Sequence, residues 1–232
     1  MREEEGEPSL VFDFDSTLVT VEGADELFAR TLAGAPDREE RVSRFRDITD
    51  RGMAGEISYE ESLRARMALL TATRAEVSEV GRALVDHLTP SVLDARMRLA
   101  RQSHRIWIVS GGFEELILPV VEALQLDPDR VRAHRLRWSD SGRVAGVDPT
   151  TALARGGKPE AVREARIPRP LWVIGDGATD LELRKLGLAD RFFAFVENRR
   201  RPEVVAGADE VLQSLMELPT LDGAGGAERS QT

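Results

Sequence analysis

The sequence predicts an α/β protein whose core is a doubly wound, mostly parallel sheet. Three segments share one pattern, in which an apolar strand runs into glycine or polar residues and then into a helix: "SLVFDFDST", "RIWIVSGGFEELILPVVEAL" and "PLWVIGDGATDLELRKLG". A fourth apolar strand, "RFFAFVE", also opens into a polar loop. Strands that alternate with helices form βαβ units and a parallel sheet with both faces covered. In such sheets ligands bind beyond the carboxyl ends of the strands, where these polar residues lie.

A long helical insertion separates the first two predicted core strands. Residues 17–105 lie between them, far more than the dozen or so residues that a parallel crossover needs. Apolar residues recur there at spacings of three and four, which predicts helices. The stripes are Val42, Phe45 and Ile48; Leu63, Met67 and Leu70; and Val77, Val80, Leu84 and Leu88. We therefore predict a helical cap over 20–88, inserted into a core formed by 9–19 and 89–218, with a helix from Pro90 to Arg101 returning to the sheet.

Two smaller features complete the predicted organisation. The stretch "VRAHRLRWSDSGRVAGV" alternates in places and carries Asp140, Ser141 and Gly142 at its centre. This pattern predicts a small β-hairpin at the edge of the core. The terminal segments 1–8 and 219–232 are rich in small, polar or acidic residues, and we expect both to be mobile.

Composition and charge exclude several classes of protein. The chain has 32 Lys and Arg against 41 Asp and Glu, a formal charge of −9, which argues against sequence-independent nucleic-acid binding. The strongest basic cluster, 199–201, is interpreted as a solvated loop. The chain has no cysteine, which excludes disulfides and fits a reducing compartment. The acidic first residues do not form a signal peptide, and no apolar run reaches the length of about 18 residues of a membrane span. We expect a cytoplasmic protein that binds neither nucleic acid nor a membrane.

Four aspartates gather at the ends of two predicted strands. Alternation along the first strand sends Asp13 and Asp15 to the same side. Asp176 follows another strand, and Asp180 lies four residues further on, so both share one face if a helix begins there. Asp176 by itself could be a helix N-cap, but four like charges need a counterion. Mg²⁺, which takes one or two carboxylates plus waters and substrate phosphate, suits the site.

Two further motifs favour an anion at the same edge of the sheet. Ser110 begins "SGG" directly after a strand, where glycines let backbone N–H groups approach a ligand. Lys158 in "GGKP" precedes Pro159, a favoured first residue of a helix, whose start attracts negative charge. A tight turn with a capping serine and a surface lysine remain the alternatives. One bound anion would suit Ser110, Lys158 and the helix together.

Three other motifs are excluded by the residues themselves. "GDGATD" has Asp180 where a dinucleotide fingerprint needs its third glycine. "TALARGGKP" lacks the first glycine of a P-loop, and Pro159 replaces its Ser or Thr. "SGG" lacks the glycine that precedes a serine-hydrolase nucleophile. The histidines show no partnering pattern and are interpreted as structural or exposed: His87, His104 and His134.

The motifs "DFDST", "SGG", "GGK" and "GDGATD", in this order, resemble those of the haloacid dehalogenase (HAD) superfamily of phosphatases. The stretches "FDFDSTLVTVEGADELF", "SLRARMALL" and "SGGF" are similar to the branch that acts on phosphoserine, over roughly residues 9–217. The resemblance implies a HAD-like fold and an Mg²⁺ cofactor. It also implies hydrolysis of a small phosphorylated amino acid, O-phospho-L-serine, to L-serine and phosphate through an aspartyl phosphate, as the last step of serine biosynthesis.

The resemblance assigns the catalytic roles position by position. It makes Asp13 the nucleophile and Asp15 the acid that protonates the departing serine oxygen and then serves as base. Mg²⁺ would be held by the carboxylates of Asp13 and Asp176 and the backbone carbonyl of Asp15, with Asp180 behind them. The residues assigned to the phosphate oxygens are Ser110, Gly111, Gly112 and Lys158.

The same comparison gives recognition of the amino acid to the cap. Glu22 would pair with the substrate ammonium and Arg66 with its carboxylate, for which arginine offers a planar two-pronged donor. Considered alone, Glu22 could be an acid at a helix start and Arg66 a solvated helical residue. Met53 and Thr179 match positions that line the substrate pocket. His134 stands where relatives commonly have Asn, which affects fine-tuning of the substrate and not phosphoryl chemistry.

Two other functions stay open from the sequence. The same fold and chemistry would serve a phosphatase of another small phosphorylated metabolite, or a phosphotransferase that passes the group to an alcohol. A receiver-like signalling module also keeps a phosphoacceptor aspartate, acidic metal ligands, a hydroxyl and a lysine on a parallel sheet. Asp15 argues against a receiver, because an acid/base group beside the nucleophile shortens the lifetime of the phosphoenzyme. The large cap, which a receiver does not need, argues against it too.

Overall fold

The computed structural model of the protein describes residues 7–32, 36–53, 56–219 and 221. Its strands in chain order are β1 (Ser9–Phe12), β2 (Ile106–Phe113), β3 (Val131–His134), β4 (Leu136–Trp138), β5 (Val144–Val147), β6 (Leu171–Gly175), β7 (Arg191–Phe195) and β8 (Glu210–Leu212). Six of them form a sheet in the order β3-β2-β1-β6-β7-β8, and every pairing in it is parallel. All four residues of β1 are buried, as expected of a central strand covered on both faces. The predicted α/β class is confirmed.

Helices cover the sheet and fill the connections. In chain order they are α1 (Gly23–Thr31), α2 (Arg38–Met53), α3 (Tyr59–Leu69), α4 (Arg74–Ala83), α5 (Pro90–Arg101), α6 (Glu114–Ala123), α7 (Ala152–Ala165), α8 (Ala178–Lys185) and α9 (Pro202–Ala206). Capping boxes begin α3 at Ser58 and α4 at Thr73, which satisfies the first N–H groups of each helix. Within the described ranges, no helix is both long enough and apolar enough to cross a membrane. A cytoplasmic location stays a prediction.

The four helices α1 to α4 form the predicted insertion between β1 and α5. The chain enters and leaves this insertion through two short antiparallel segments, in which Thr20 N–H donates to the His87 carbonyl (2.8 Å) and Thr89 N–H to that of Leu18 (3.0 Å). Gly81 of α4 lies so close to α6 that an added Cβ would stand 2.9 Å from a backbone oxygen. Apolar residues of the insertion and of the sheet form one continuous cluster. The division into a cap and a core domain stays a prediction.

Two predicted boundaries need correction. The hairpin is shorter than predicted, because only β4 and β5 pair in it, while β3 joins the main sheet beside β2. The reason is packing: Val131 and Ala133 are buried, so β3 belongs to the core and the hairpin begins after it. At the other end of the chain the packed core extends past residue 218, since Leu221 is buried and its carbonyl accepts from Gln102 Nε2 (3.0 Å). Residues 1–6 and 222–232 of the predicted mobile tails lie outside the described residues.

Candidate active site

Asp13 lies directly beyond the end of β1, the strand at the centre of the sheet. Its own N–H donates to the Ile174 carbonyl of β6 (2.9 Å), which fixes the backbone there. Its carboxylate oxygen Oδ1 accepts from the Phe14 N–H (2.7 Å) and pairs with Lys158 Nζ (2.8 Å). Both of these contacts use Oδ1, so the other oxygen, Oδ2, is left to meet a ligand.

Three buried carboxylates converge beside this point. Asp13, Asp176 and Asp180 each offer an oxygen within 4.8 Å of the others. Burial and the charge of Asp13 raise the pKa of Asp176 to about 6, and the same two causes raise the pKa of Asp180. Among the described residues, Lys158 and Arg201 are the cations that contact them. When all three carboxylates are ionised they exceed these two cations by one charge, and their oxygens are the ligands that a divalent cation such as Mg²⁺ prefers. The Asp15 carboxylate is not part of this cluster.

Lys158 reaches the carboxylates from a kink in α7. Gly156 and Gly157 are not helical, and Gly157 has a φ of +64°, a left-handed conformation that glycine adopts without steric cost. The helix restarts after Gly157, so Lys158 stands at its beginning, with a side chain that is only 5% exposed. Its Nζ lies 2.6 Å from Asp180 Oδ1. The lysine is therefore a buried cation of the site and not a surface residue.

The position of Asp180 depends on two glycines, Gly177 and Gly175, which the sequence did not indicate as site residues. Its Oδ2 accepts from the Gly177 N–H (3.1 Å). A Cβ added to Gly175, the last residue of β6, would stand 2.4 Å from Asp180 Cγ, so any side chain at this position displaces the carboxylate. The signal in the sequence was a glycine at the end of a buried strand, which marks a close approach to the backbone.

Ser110, Gly112 and Asp15 lie close to one another. Ser110 is buried, and its Oγ accepts from the Gly112 N–H (3.0 Å), while Gly111 is exposed. A Cβ on Gly112 would come within 3.2 Å of Asp15 Oδ2, which places the acid beside this turn. Asp15 Oδ1 accepts from the Gly23 N–H at the start of α1 (2.8 Å). Burial and, next, the charge of Glu22 raise the pKa of Asp15 well above its ordinary value.

The structure places two of the predicted recognition residues on the insertion. Glu22 occupies the N-cap position of α1 without capping it, and its Oε1 accepts from Ser16 Oγ (2.7 Å). Arg66 of α3 lines a small gap that Phe113 of β2 also lines, and its Nε is buried without a hydrogen-bond partner among the described residues. Thr179 is exposed in the first turn of α8. The side chain of Met53 lies outside the described part of the chain.

The arginine loop after β7 contacts the site, so its interpretation as a merely solvated loop is wrong. Arg201 Nε donates to Asp176 Oδ2 at 3.2 Å, and its Nη2 forms an ion pair with the same oxygen at 3.2 Å. Arg199 Nη1 donates to Glu22 Oε1 (3.3 Å), whereas Arg200 is exposed. A run of like charges usually marks a solvated surface. For this reason the sequence did not indicate that the loop contacts the site. The available signal was position, because the loop follows the carboxyl end of a parallel strand.

The comparisons with known proteins agree with this geometry. The model of the haloacid dehalogenase-like hydrolase family matches residues 10–185. A chloroplastic phosphoserine phosphatase of Arabidopsis thaliana is 34% identical over 205 residues, which cover 87% of this chain and 67% of the relative. The crystal structure of a phosphoserine phosphohydrolase-like protein from Francisella tularensis subsp. tularensis SCHU S4 is 29% identical with a TM-score of 0.81, covering 93% of this chain and 99% of that one. A structure described as a phospho-aspartyl intermediate analogue of phosphoserine phosphatase is 26% identical with a TM-score of 0.67, covering 91% and 97%. The chain belongs to the haloacid dehalogenase-like hydrolases.

Proposed function

We propose that the protein is an Mg²⁺-dependent phosphoserine phosphatase, which hydrolyses O-phospho-L-serine to L-serine and phosphate through an aspartyl phosphate. The observation that carries the chemistry is the Asp13 carboxylate, whose Oδ1 is held by the Phe14 N–H and Lys158 while Oδ2 stays available. The relatives named as phosphoserine phosphatases support the substrate. The family match argues against the receiver-like alternative.

In the first half of the reaction, Asp13 Oδ2 attacks phosphorus, and the bond from phosphorus to the serine oxygen breaks. Lys158 at 2.8 Å from Asp13 supplies positive charge to the phosphoryl oxygens. Ser110 Oγ accepts from the Gly112 N–H, which leaves the hydroxyl hydrogen of Ser110 free to donate to the phosphate. Donors fixed in this way before the reaction stabilise the charge that shifts during transfer. We assign the N–H group of Gly111 to the same oxygens, and that of Gly112 once it turns from Ser110 Oγ, to which it donates here, towards the phosphate.

Asp15 is the acid and base that transfers a proton in both halves of the reaction. Burial and, next, the charge of Glu22 raise its pKa, which favours the protonated form that can donate to the departing serine oxygen. The resulting carboxylate then accepts a proton from the water that attacks the phosphorus of the aspartyl phosphate, and the bond from phosphorus to Asp13 Oδ2 breaks to release phosphate. The Gly23 N–H fixes its Oδ1, and the approach of Gly112 to Oδ2 places the acid next to the turn that we assign to phosphate.

We assign the metal to the carboxylates of Asp13 and Asp176 and the backbone carbonyl of Asp15. When bound, Mg²⁺ supplies positive charge between the nucleophile and the substrate phosphate. The neighbouring protein groups orient its ligands. Arg201 holds Asp176 Oδ2, and Asp180 engages Lys158.

We assign recognition of the serine part to the helical insertion, acting as a cap over the core site. Arg66 is the proposed partner of the substrate carboxylate, because its buried Nε has no hydrogen-bond partner among the described residues and a planar guanidinium matches a carboxylate. Glu22 is the proposed partner of the ammonium, since its hydrogen bonds to Ser16 and Arg199 both use Oε1 and leave Oε2 for a ligand. Met53 and Thr179 are assigned to the pocket wall on resemblance alone.

A panel of phosphate esters tests the proposed substrate. We expect kcat/KM for phosphoserine to exceed that for 3-phosphoglycerate and phosphoethanolamine by roughly 30-fold or more, equivalent to about 2 kcal/mol of transition-state binding. The first of these compounds lacks the ammonium and the second lacks the carboxylate. A sugar phosphate that is turned over faster than phosphoserine would favour the phosphatase of another metabolite. Transfer of phosphate to an added alcohol in preference to water would favour a phosphotransferase.

A further inference from the structure

Ser16, the residue after Asp15, has an unusual backbone conformation. Its φ is +54°, in the left-handed region that residues other than glycine seldom occupy. The residue is 3% exposed, so the surrounding protein fixes this conformation. Strained residues of this kind persist only where their contacts over-determine them, and they concentrate at functional sites.

The contacts of Ser16 lead to the proposed recognition residue. Its Oγ donates to Glu22 Oε1 at 2.7 Å, and its carbonyl accepts from Asn198 Nδ2 at 3.1 Å. Arg199 Nη1 donates to the same Glu22 oxygen at 3.3 Å. Neither of these hydrogen bonds to Glu22 uses Oε2. One carboxylate oxygen is therefore held by the protein, and the other remains to accept from a ligand.

We propose that Ser16 is a positioning residue for the substrate ammonium, because its hydroxyl holds Glu22 in place for that ammonium before the substrate arrives. This inference rests on the proposed function and adds to it a residue that sets specificity. Glutamate has a long side chain whose ordering costs conformational entropy on binding. A hydrogen bond already present in the free enzyme removes part of that cost from the binding step.

The identity of the residue supports a role for the hydroxyl. A turn that required only a positive φ would be served best by glycine, which adopts this conformation without steric cost. Serine at position 16 keeps a side chain despite the strained backbone. That side chain makes the shorter of the two hydrogen bonds to Glu22. The hydroxyl also joins the segment that carries Asp15 to the first helix of the insertion.

The test uses Ser16→Gly and Ser16→Ala with three related substrates. Phosphoserine and phosphoethanolamine carry the ammonium, whereas 3-phosphoglycerate carries a hydroxyl in its place. We expect the KM of both ammonium-bearing substrates to rise roughly five- to tenfold in each variant, the effect of ordering one long side chain, with kcat nearly unchanged. The kinetics of 3-phosphoglycerate should stay at the wild-type level. Ser16→Gly relieves the backbone, so it keeps the test informative if Ser16→Ala folds poorly.

Two reference variants separate the possible outcomes. Thr20→Ala removes an exposed hydroxyl of the same segment that contacts the His87 carbonyl and not Glu22, and it should leave all three KM values unchanged. Glu22→Gln should lose the preference for the ammonium. If wild-type enzyme shows no such preference, the proposed substrate is wrong. If Glu22→Gln loses the preference but both Ser16 variants keep it, only the role of Ser16 is overturned. Equal losses on all three substrates would also overturn it, since they indicate a structural role.

Discussion

At the residue scale, two carboxylates of the site contact the protein through one oxygen and leave the other for a ligand. Asp13 Oδ1 accepts from the Phe14 N–H and pairs with Lys158. Glu22 Oε1 accepts from Ser16 and Arg199. In both residues the second oxygen has none of these contacts. A carboxylate held through one oxygen keeps its orientation, and it can still react or bind through the other.

Replacing Asp13 with Asn tests the nucleophile. The amide is nearly isosteric with the carboxylate but is a poor nucleophile. We therefore expect Asp13→Asn to lower turnover of phosphoserine by at least about a thousandfold, with a near-wild-type melting curve by circular dichroism. Turnover within about tenfold of the wild-type value would remove Asp13 from this role.

Recognition of the substrate carboxylate is tested with Arg66→Ala. The variant leaves a charged group of the substrate without a partner, which costs roughly 2–5 kcal/mol for a desolvated charge pair. We expect this loss in kcat/KM for phosphoserine and 3-phosphoglycerate, and little change for phosphoethanolamine. The matched control is Arg64→Ala on the same helix, because Arg64 is exposed and pairs with Glu60. Similar losses on all three substrates would instead assign Arg66 to packing of the insertion.

At the scale of elements, the strand ends were predictable and the contacts between distant loops were not. Asp13, Ser110 and Asp176 follow apolar runs that the pattern identifies as strands, and parallel pairing of these strands places their ends at one edge. The kink that delivers Lys158 also had a local signal in its two glycines. The arginine loop had no such local signal in its residue types, because its partners lie far away in the sequence.

The arginine loop gives a prediction about metal affinity. Arg201 places a positive charge beside Asp176, and this charge opposes the binding of a cation. We expect Arg201→Gln to tighten Mg²⁺ binding by about fivefold, equivalent to about 1 kcal/mol, in calorimetric titrations of metal-free protein. Arg200→Gln makes the same change of charge at an exposed neighbour and should leave the affinity nearly unchanged. Weaker binding in Arg201→Gln would show that the orientation of Asp176 matters more than the charge.

At the scale of the whole molecule, the predicted insertion and sheet are present, but their packing was not visible in the sequence. The apolar stripes of the insertion predicted helices, yet they did not indicate that α4 packs against α6 through Gly81. They also did not indicate that insertion and sheet share one apolar cluster. Periodicity reports which face of an element is buried and not which partner buries it. For the same reason β3 could not be separated from the hairpin.

Metal binding should be visible in the stability of the whole protein. Three buried carboxylates repel one another when the cation is absent, so Mg²⁺ binds the folded state in preference to the unfolded one. We expect EDTA to abolish turnover and added Mg²⁺ to restore it, while Mg²⁺ at a hundred times its Kd stabilises the fold by about 2.7 kcal/mol. Thermal melts with and without Mg²⁺ measure this, and Asp176→Asn should reduce the shift. Full activity in metal-stripped buffer would refute the metal assignment.

The pH dependence of stability should carry a contribution from His134. Burial and, next, the positive charge of Arg66 lower the pKa of His134 to about 4, against 6.5 for an ordinary histidine. Well above pH 6.5 the imidazole is neutral in both states and contributes no pH dependence. As the pH falls from there towards 4, the unfolded chain takes up the proton and the folded one does not, so stability is lost. Between about pH 7 and pH 5 this loss amounts to about 2 kcal/mol. In denaturant titrations the stability of wild type relative to His134→Asn should therefore fall by this amount on acidification, because Asn has no proton to gain. Parallel pH profiles for the two proteins would show that His134 titrates normally in the folded state.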